Sequence, residues 1–490
     1  MQLQPYKIED FRRGRISKSA VAHSLAPENS VSETQNINYD TIIGSGVVRS
    51  GTTKLGATVA ANRTPLGLTT FSTTDLNTNL VVGVYSGAST ATVYYYNGSW
   101  NTSGVTNLSN TAKNRFANLG GRIFRVNGVT AMASSTNGNS WGTTNCLGVT
   151  TSHVVGLVFR QKGRLLASGD TVFPSRVWFS SIIAPGAVTT LTWAEGNNTG
   201  DFIDINPDDG DFNTGFAETS TTTLIFKSNA LYRLNVISKT VDTENIFNVG
   251  AVSQEAITNC QGVVYFFSGK DIRRTSGGFP ENISRLGVQD FLDAIPQSSW
   301  TNVALGNDDW NVYASIGDIT LYNKQNNQKT YKNVVLKFST RDESWSVHAY
   351  GEQYRFFSKY TTSTDGKTLI GAETSGNVQT LNKGQTDNEK PIFYFLESQD
   401  LDFGSRQNVK TISNNIVAFT TNGQNSRLKI SADNKTFKDV PIDLTVKESV
   451  GRNLNERGHQ FTVRWEGEST GNAPIFEGFN IPQITDEGIN

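Results

Sequence analysis

The stretch TTTLIFKSNALYRL, residues Thr221–Leu234, decides the fold that we predict for this chain. It reads as a short strand at Leu224–Phe226, a polar turn at Lys227–Ala230 and a returning strand at Leu231–Leu234. The apolar runs are too short for a helix, and a polar four-residue loop is typical of a β-hairpin. The same unit recurs along the chain, and repetition of a small antiparallel sheet is how β-propellers are built.

Units of this kind begin near residue 78 and recur at intervals of about 40–50 residues, which is typical of propeller blades. Examples are Leu80–Tyr85 (LVVGVY) and Gly121–Val126 (GRIFRV), the second followed by Asn127 and Gly128. Asn-Gly between apolar runs is a strong hairpin signal. One interruption, at Ile283–Ile295, predicts a short helix. We therefore predict an all-β fold with an irregular β-propeller of six or seven blades.

Three regions differ in pattern. Residues 1–70 show little regular alternation, and we predict an extended N-terminal arm. Residues 71–385 carry the repeated units of the propeller. The polar run NKGQTDNEK marks a boundary near residue 385. Residues 386–490 hold evenly spaced alternating strands such as Val409–Phe419 and predict a C-terminal β-sandwich-like domain.

The composition suits many short strands and turns. The 490 residues carry a formal net charge of -1, with 36% hydrophobic and 18% charged residues, so basic tails do not dominate the chain. Cys146 and Cys260 share no metal-like spacing, which predicts two buried free thiols. No apolar run approaches the ~18–20 residues that cross a bilayer. Met1–Lys18 lacks the apolar core of a secretory signal, so we expect a protein made and assembled in the cytosol.

No catalytic or metal-binding motif is evident in the sequence. There is no GxSxG, HExxH or P-loop pattern, and the four histidines are scattered. Residues Asp204–Asp211 (DINPDDGD) look like a calcium loop, but Asp209 and Gly215 occupy the sixth and twelfth positions, where an EF-hand needs Gly and Glu. We predict an acidic turn instead, with no catalytic residue, no metal and no cofactor. We call its four carboxylates the acidic loop: Asp204, Asp208, Asp209 and Asp211.

A basic cluster lies near the start of the chain. Its members are Arg12, Arg13, Arg15 and Lys18. Such a cluster is typical either of a solvated, flexible N-terminus or of a segment that contacts nucleic acid or an acidic partner protein. The residues alone leave both interpretations open.

Several segments of the sequence resemble a known family. The opening, Asp10–Gly14 (DFRRG) leading to NSVSETQNINYDTIIGSGVVRSGTTKLG, is similar to the N-terminal segment of phage tail proteins. The central run resembles the tail hub or nozzle proteins of short-tailed bacteriophages, the packaged-DNA stabilisation family. The matching segments are Gly163–Asp170, Ser175–Ser180, Asp201–Asp211, Thr221–Leu234, Ser253–Ala256 and Gly262–Ser268. The final domain, with SADNKTF at Ser431–Phe437, is similar to the β-rich end of such proteins.

The resemblance implies a structural virion protein without enzymatic activity. In that family a homohexameric ring lies below the portal and adaptor, forms part of the channel for double-stranded DNA, retains the packaged genome and attaches tail fibres or spikes. Retained DNA must still slide out, so strong phosphate clamps would be counterproductive. We therefore predict that the acidic loop faces the channel and that the basic cluster contacts a partner protein.

Two alternatives remain. A carbohydrate-binding propeller, such as a receptor-binding tail protein or a surface lectin, would use Tyr94–Tyr96 and Trp100 as stacking platforms, although strand packing explains these rings equally. A glycoside hydrolase on the same fold is the second alternative. Ser134–Trp141 (SSTNGNSW) resembles the Asp-box of sialidase-type propellers, which is a structural turn in those proteins and not the active site.

Overall fold

The structure is a computed structural model that describes residues 1–17, 29–73, 79–105, 107–143, 153–183, 191, 193, 202–322, 327–362 and 366–489. Lys18 and Cys146, which the sequence analysis singled out, lie outside the described residues.

Seven four-stranded antiparallel sheets occur in the described part of the chain, and we number them as blades 1 to 7 in chain order. Blades 1 to 3 consist of Pro65–Ser72, Asn79–Tyr85, Thr92–Tyr96 and Trp100–Thr102; Arg115–Leu119, Arg122–Val126, Ala133–Ser135 and Gly142–Thr143; and Leu157–Gln161, Arg164–Ser168, Arg176–Phe179 and Phe202–Asp204. Blades 4 to 6 consist of Asn213–Glu218, Thr223–Lys227, Leu231–Asn235 and Thr240–Phe247; Ile257–Cys260, Val263–Phe267, Ile272–Thr275 and Glu281–Asn282; and Ala304–Asn307, Asn311–Tyr322, Gln328–Ser339 and Trp345–Ala349. Blade 7 consists of Tyr354–Thr362, Gly366–Glu373, Val378–Leu381 and Thr52–Lys54.

The blades form a closed ring. The first strand of each blade contacts the first strand of the next, and the first strand of blade 7 contacts that of blade 1. The outermost strand of blade 7, Thr52–Lys54, comes from the early part of the chain and pairs with Val378–Leu381. This pairing completes the four strands of blade 7 with a segment that directly precedes blade 1 in the chain, which ties the two ends of the ring together. The predicted all-β propeller is thus confirmed, with seven blades.

The hairpin that predicted the fold lies in blade 4. Strands Thr223–Lys227 and Leu231–Asn235 pair in register, with Phe226 opposite Leu231. The strands are apolar on both faces because each blade is covered by its two neighbours. Ile225 packs in the cluster shared with blade 3, whereas Phe226 packs on Phe266 of blade 5, with ring centroids 4.9 Å apart. Each such buried side chain stabilises the fold by roughly 1.5–3 kcal/mol.

The remaining strands form a two-sheet sandwich. One sheet has the strand order Val31–Gln35, Ile392–Ser398, Phe461–Ser469, Ser426–Ala432 and Lys438–Asp439. The other has the order Ile37–Asn38, Gly46–Val48, Ile475–Ile481, Val409–Thr421 and Glu448–Gly458, with Tyr6–Ile8 paired to Ile475–Ile481 and Ile484–Gly488 paired to Val409–Thr421. The two sheets share one apolar core, in which Trp465 stacks on Phe476 at 5.2 Å.

Much of the predicted arm is part of this sandwich. Strand Val31–Gln35 pairs with Ile392–Ser398, and Phe11 is fully buried and stacks on Phe476 with ring centroids 5.8 Å apart. The sequence predicts an extended segment here because the strands are short and polar. They acquire ladder partners only from the far end of the chain, so local alternation gives no signal.

Helical structure is sparse. The described residues hold one short α-helix, Gln289–Asp293, and 3-10 turns at Pro207–Asp209, Gln254–Ala256 and Gln297–Asn302. The α-helix lies within the predicted segment Ile283–Ile295 and buries Phe291 and Leu292. Within the ranges described above, no helix is long and apolar enough to cross a membrane.

The sandwich is joined to the propeller by a fully satisfied arginine. Arg49 is 1% exposed and donates all five of its N–H groups. The acceptors are both carboxylate oxygens of Asp387 at 2.8 and 2.5 Å, Oδ1 of Asn36 at 2.8 Å, and the backbone oxygens of Ser50 at 3.0 Å and Ala349 at 2.8 Å. Because Ala349 ends the outermost strand of blade 6, this side chain ties the sandwich to that blade.

Two further buried cations join the first 50 residues to the propeller. Lys337 of blade 6 donates to both carboxylate oxygens of Asp40 at 2.7 and 2.9 Å and to Asn38 at 3.1 Å. Arg15 forms a two-point pair with Asp290, one bond of which measures 2.8 Å. These pairs tie the first 50 residues to blade 6 and to the short segment Gln289–Asp293 that precedes it.

A buried histidine at the same junction predicts a pH response. His348 is 0% exposed and its Nε2 lies 3.0 Å from Oδ1 of Asn38. Burial, with the charges of Arg49 and Lys337, holds the pKa of His348 well below its usual range. The unfolded chain therefore binds a proton that the folded chain rejects. We expect the free energy of unfolding to fall below about pH 6.5, by up to about 1.4 kcal/mol per pH unit.

Urea denaturation from pH 7.5 to 5 measures this effect, and His348→Gln should flatten the profile. The exposed His459 offers a matched control, since His459→Gln should leave the slope unchanged. A wild-type stability that stays constant across this range would contradict the assignment.

Candidate functional site

The axis of the propeller holds a small cavity that is lined by both apolar and polar side chains. It measures about 290 Å³ and lies between the first strands of the blades. Its wall includes the rings of Phe116, Phe159 and Phe357, contributed by blades 2, 3 and 7. A cavity of this size admits a small molecule but is too small for a nucleic-acid duplex.

A charged bridge crosses the axis. Glu255, in the turn that precedes blade 5, accepts bonds from Nε of Arg115 at 2.8 Å and from Nζ of Lys113 at 3.0 Å, both at the start of blade 2. Burial alone would raise the pKa of Glu255, but Arg115 and Lys113 outweigh it and hold that pKa far below its usual range. Glu255 therefore stays ionised, and the bridge links blades on opposite sides of the ring.

Loss of this carboxylate should destabilise the ring. Glu255→Gln leaves Arg115 and Lys113 without their anion. Since both are partly exposed, we expect the free energy of unfolding to fall by about 2 kcal/mol, below the range for fully buried pairs.

The contribution of a carboxyl with a depressed pKa is present above its unfolded pKa of about 4.3 and is lost as the pH falls below it. The difference between variant and wild type should therefore shrink near pH 3. Urea titrations at pH 7 and pH 3.5 measure it, with the exposed Glu448→Gln as control; equal stability of Glu255→Gln and wild type at pH 7 would count against the bridge.

The acidic loop joins blade 3 to blade 4 and is folded around a buried lysine. Lys227 is 0% exposed, and its Nζ donates to Oδ1 and Oδ2 of Asp209 at 2.7 and 2.8 Å. The same ammonium donates to Oγ of Ser175 at 3.1 Å and to the backbone oxygen of Asn206 at 2.9 Å. Burial would raise the pKa of Asp209, but its bond to Lys227 lowers it overall. Asp209 therefore acts first as the counter-ion of a core lysine.

The other three members of the acidic loop differ in their surroundings. Asp204 pairs with Arg176 through both oxygens, at 2.7 and 2.8 Å. Asp211 accepts the backbone N–H of Asn229 at 2.9 Å and so shapes the turn of the blade 4 hairpin. Asp208 is exposed. The loop therefore offers less free negative charge than its sequence implies, and its orientation toward a channel stays a prediction.

The basic cluster is divided by the fold. Arg15 is 3% exposed and paired with Asp290, so it is not available to a partner protein. Arg12 and Arg13 are exposed and line a cavity of about 710 Å³ against blades 5 and 6. The predicted partner-contacting surface is thereby reduced, within the described residues, to these two arginines.

The aromatic residues of the lectin alternative take part in packing. Trp100 donates its indole N–H to the backbone oxygen of Leu55 at 2.7 Å and lies 5.2 Å from the ring of Tyr96. The segment Ser134–Trp141 forms a turn in which Ser135 and Asn137 accept backbone N–H groups. In the part of the chain that the structure describes, no three His, Cys, Asp or Glu side chains could hold a metal ion together, and Cys260 is a buried free thiol.

The residues with the strongest interactions are not among those that the sequence predicted to be functional. Lys227 was assigned to a polar turn, and Arg49 and Glu255 were not singled out. Lys227 carried a detectable signal in the sequence. It directly follows the apolar run Leu224–Phe226, and the Asp-rich loop lies one strand earlier in the chain. Glu255 and Arg49 carried none, because their partners lie 140 and 338 residues away.

The fold defines the chain as a seven-bladed β-propeller protein with an attached β-sandwich. No family model and no curated protein matches the chain. Among solved structures, it is similar to virginiamycin B lyase from Staphylococcus aureus, with 12% identity and a TM-score of 0.44 over 67% of this chain and 98% of the other. It is also similar to the Pan2 WD40 domain of Neurospora crassa, with 6% identity and a TM-score of 0.41 over 70% and 98%. A third is YCF48 bound to D1 peptide, with 9% identity and a TM-score of 0.39 over 68% and 97%.

Proposed function

We propose that this protein is a structural subunit of a bacteriophage tail, a nozzle or hub that assembles as a homohexameric ring below the portal and adaptor. In this proposal the DNA channel is the lumen of the ring and not the axis of a single propeller, whose cavity is too small for a duplex. As part of this assembled ring, the protein retains the packaged genome and helps attach tail fibres or spikes. The ring assembles in the host cytoplasm and resides in the virion.

One surface feature carries the proposal. Val129, Val172 and Phe212 are exposed by 58%, 67% and 56%. Val129 and Val172 lie between the second and third strands of blades 2 and 3, and Phe212 lies between blades 3 and 4. Because strands alternate in direction, these loops share one face of the propeller. Exposed apolar side chains on neighbouring blades of one face can form a protein–protein contact.

The position of the acidic loop supports the same proposal. Asp208 lies a few residues before Phe212 on the face just described. If Val129, Val172 and Phe212 form the contact between subunits, the carboxylates of the acidic loop lie beside that contact and border the lumen of the ring. Near-neutral or acidic walls let DNA slide, because its phosphates bind weakly to a surface that offers them few Lys or Arg side chains.

The proposal is tested by imaging the purified protein alone and mixed with its portal–adaptor complex, with mass photometry for the stoichiometry. We expect six-fold rings that dock coaxially on the adaptor. Phe212→Asp should abolish ring formation while leaving the circular dichroism unchanged. The matched control is Ile237→Asp, because Ile237 is 78% exposed in the loop before the last strand of blade 4, on the opposite face. Monomers at every concentration, with or without the adaptor, would refute the proposal.

A further inference from the structure

The axial cavity presents three aromatic rings that a ligand can reach. Phe116, Phe159 and Phe357 line it from blades 2, 3 and 7, and each is only half-buried, so part of each side chain faces open space. Thr69 of blade 1 lines the same space and is also half-buried. The volume of about 290 Å³ is close to the lower end of the range for small-molecule pockets, about 300 Å³. The rings can therefore take up the apolar part of a compact molecule.

The charged bridge forms another part of the wall. Arg115 and Glu255 line the cavity, and Lys113 contacts Glu255 from beside it. The side chain of Glu255 is 5% exposed and accepts three bonds, from Nε and Nη2 of Arg115 at 2.8 and 3.2 Å and from Nζ of Lys113 at 3.0 Å. The side chains of Arg115 and Lys113 are 21% and 28% exposed. The part of the bridge that a ligand can reach is therefore its cationic part.

The bridge has more positive than negative charge. Arg115 and Lys113 are two cations, whereas Glu255 is one anion. Residues 144–152, which connect blade 2 to blade 3 in the sequence, include no Asp or Glu and so supply no second carboxylate. Low-dielectric walls around charge of one sign focus its field and concentrate the counter-ion. The excess charge therefore favours an anionic ligand, although ring faces alone would attract a cation.

The guanidinium of Arg115 is the group that can bind such an anion directly. It has five N–H groups, of which three donate to described residues: two to Glu255 and one, from Nη1, to the backbone oxygen of Gly156 at 2.9 Å. The amide of Gln254, also in the wall, is engaged with the backbone of Phe216 through both Nε2 and Oε1, at 3.1 and 2.8 Å. The wall thus offers a ligand a charged donor next to apolar surface.

We propose that the axial cavity binds a monocarboxylate with a compact apolar body. The carboxylate accepts hydrogen bonds from Arg115 and is attracted by the charge of Lys113. The apolar body packs against Phe116, Phe159 and Phe357. The bound anion offsets the excess charge of the bridge, and binding of this kind does not require the chain to assemble into a ring.

Benzoate is a suitable probe, because uncharged and cationic molecules of almost the same shape exist. Benzamide keeps the ring and loses the charge, so it should bind at least about tenfold more weakly, the difference made by hydrogen bonds to a charged group. Benzamidine, which is a cation at pH 7, should bind more weakly still. Acetate keeps the charge and buries no ring, so it should also bind at least about tenfold more weakly than benzoate.

Two variants separate the charge from the shape of the cavity. Lys113→Met leaves Glu255 its two-point pair with Arg115 and makes the bridge neutral, so we expect benzoate to bind about three- to tenfold more weakly and benzamide to bind as before. Thr69→Phe places a ring in the cavity and should weaken benzoate and benzamide alike, by at least about tenfold. The matched control is Lys447→Met, because the side chain of Lys447 is 75% exposed and belongs to the sandwich, so both affinities should stay unchanged.

Isothermal titration calorimetry of the full chain in low-salt buffer tests the site, with circular dichroism to show that each variant is folded. We expect one benzoate per chain and weaker binding at high salt, since part of the attraction is between charges. No heat of binding from benzoate, or equal affinities for benzoate and benzamide, would overturn the proposal. Benzoate binding that is unchanged in both Lys113→Met and Thr69→Phe would place the ligand elsewhere and would overturn it as well.

Discussion

Replacement of Arg49 with alanine is expected to lower the free energy of unfolding by about 3–5 kcal/mol. The substitution removes five hydrogen bonds and leaves the carboxylate of Asp387 without its cation in a site that is largely closed to water. The guanidinium also stacks on Tyr350, with its carbon 4.0 Å from the ring centroid, so packing is lost as well. Urea denaturation followed by tryptophan fluorescence measures the change, provided that the slope with denaturant stays constant.

Two further variants define the cause of this effect. Arg49→Lys keeps the charge but loses the planar fork, so we expect about half of the loss. Arg452→Ala removes an exposed arginine of the sandwich and should change stability by less than about 0.5 kcal/mol. A loss below about 1 kcal/mol for Arg49→Ala would mean that the junction with blade 6 is held by apolar packing alone.

Replacement of Gly51 with alanine should open the ring at its closing strand. A Cβ atom at this position would lie 1.9 Å from the backbone oxygen of Thr386, a contact that no side-chain rotation can relieve. Gly51 donates its N–H to the backbone oxygen of Gly384 at 3.0 Å, directly before the strand Thr52–Lys54. Separation of these segments strains the strand that completes blade 7. We expect a loss of about 3 kcal/mol, at the upper end for an overpacked site.

Hydrogen exchange measures this effect by position. Protection should fall first in Val378–Leu381, the partner of the closing strand, and only later in blade 4. Gly351→Ala is the matched control, because a Cβ there meets no atom within 4 Å. A uniform loss of protection across all blades would show instead that the ring opens as one cooperative unit.

The sequence predicted those parts of the fold that depend on neighbours in the chain. Hairpins such as Leu224–Leu234 bury both faces and are joined by polar turns, so composition and spacing identify them. The closing strand Thr52–Lys54 could not be found in this way. Its three polar residues match no pattern, and only their pairing with Val378–Leu381 makes them a strand.

The charged residues show the same limit. The acidic loop was recognised as a turn, but its central role as the counter-ion site of Lys227 depends on a strand 18 residues away. Arg15 was grouped with Arg12 and Arg13 by sequence proximity, although the chain buries Arg15 against Asp290, 275 residues further on. Arg125, which is 4% exposed on the second strand of blade 2, gave no signal at all, because an arginine within a strand is ordinarily exposed. Burial of a charge is decided by tertiary contacts, which a local pattern does not contain.

The pairing of Tyr6–Ile8 with Ile475–Ile481 has a consequence for biosynthesis. On the ribosome, the earliest strand emerges long before its partner is translated, and the whole propeller is made in between. Strand Thr52–Lys54 likewise cannot join blade 7 until Val378–Leu381 has been translated. The nascent chain must therefore hold its first fifty residues unassembled through most of translation, and the sandwich is completed last.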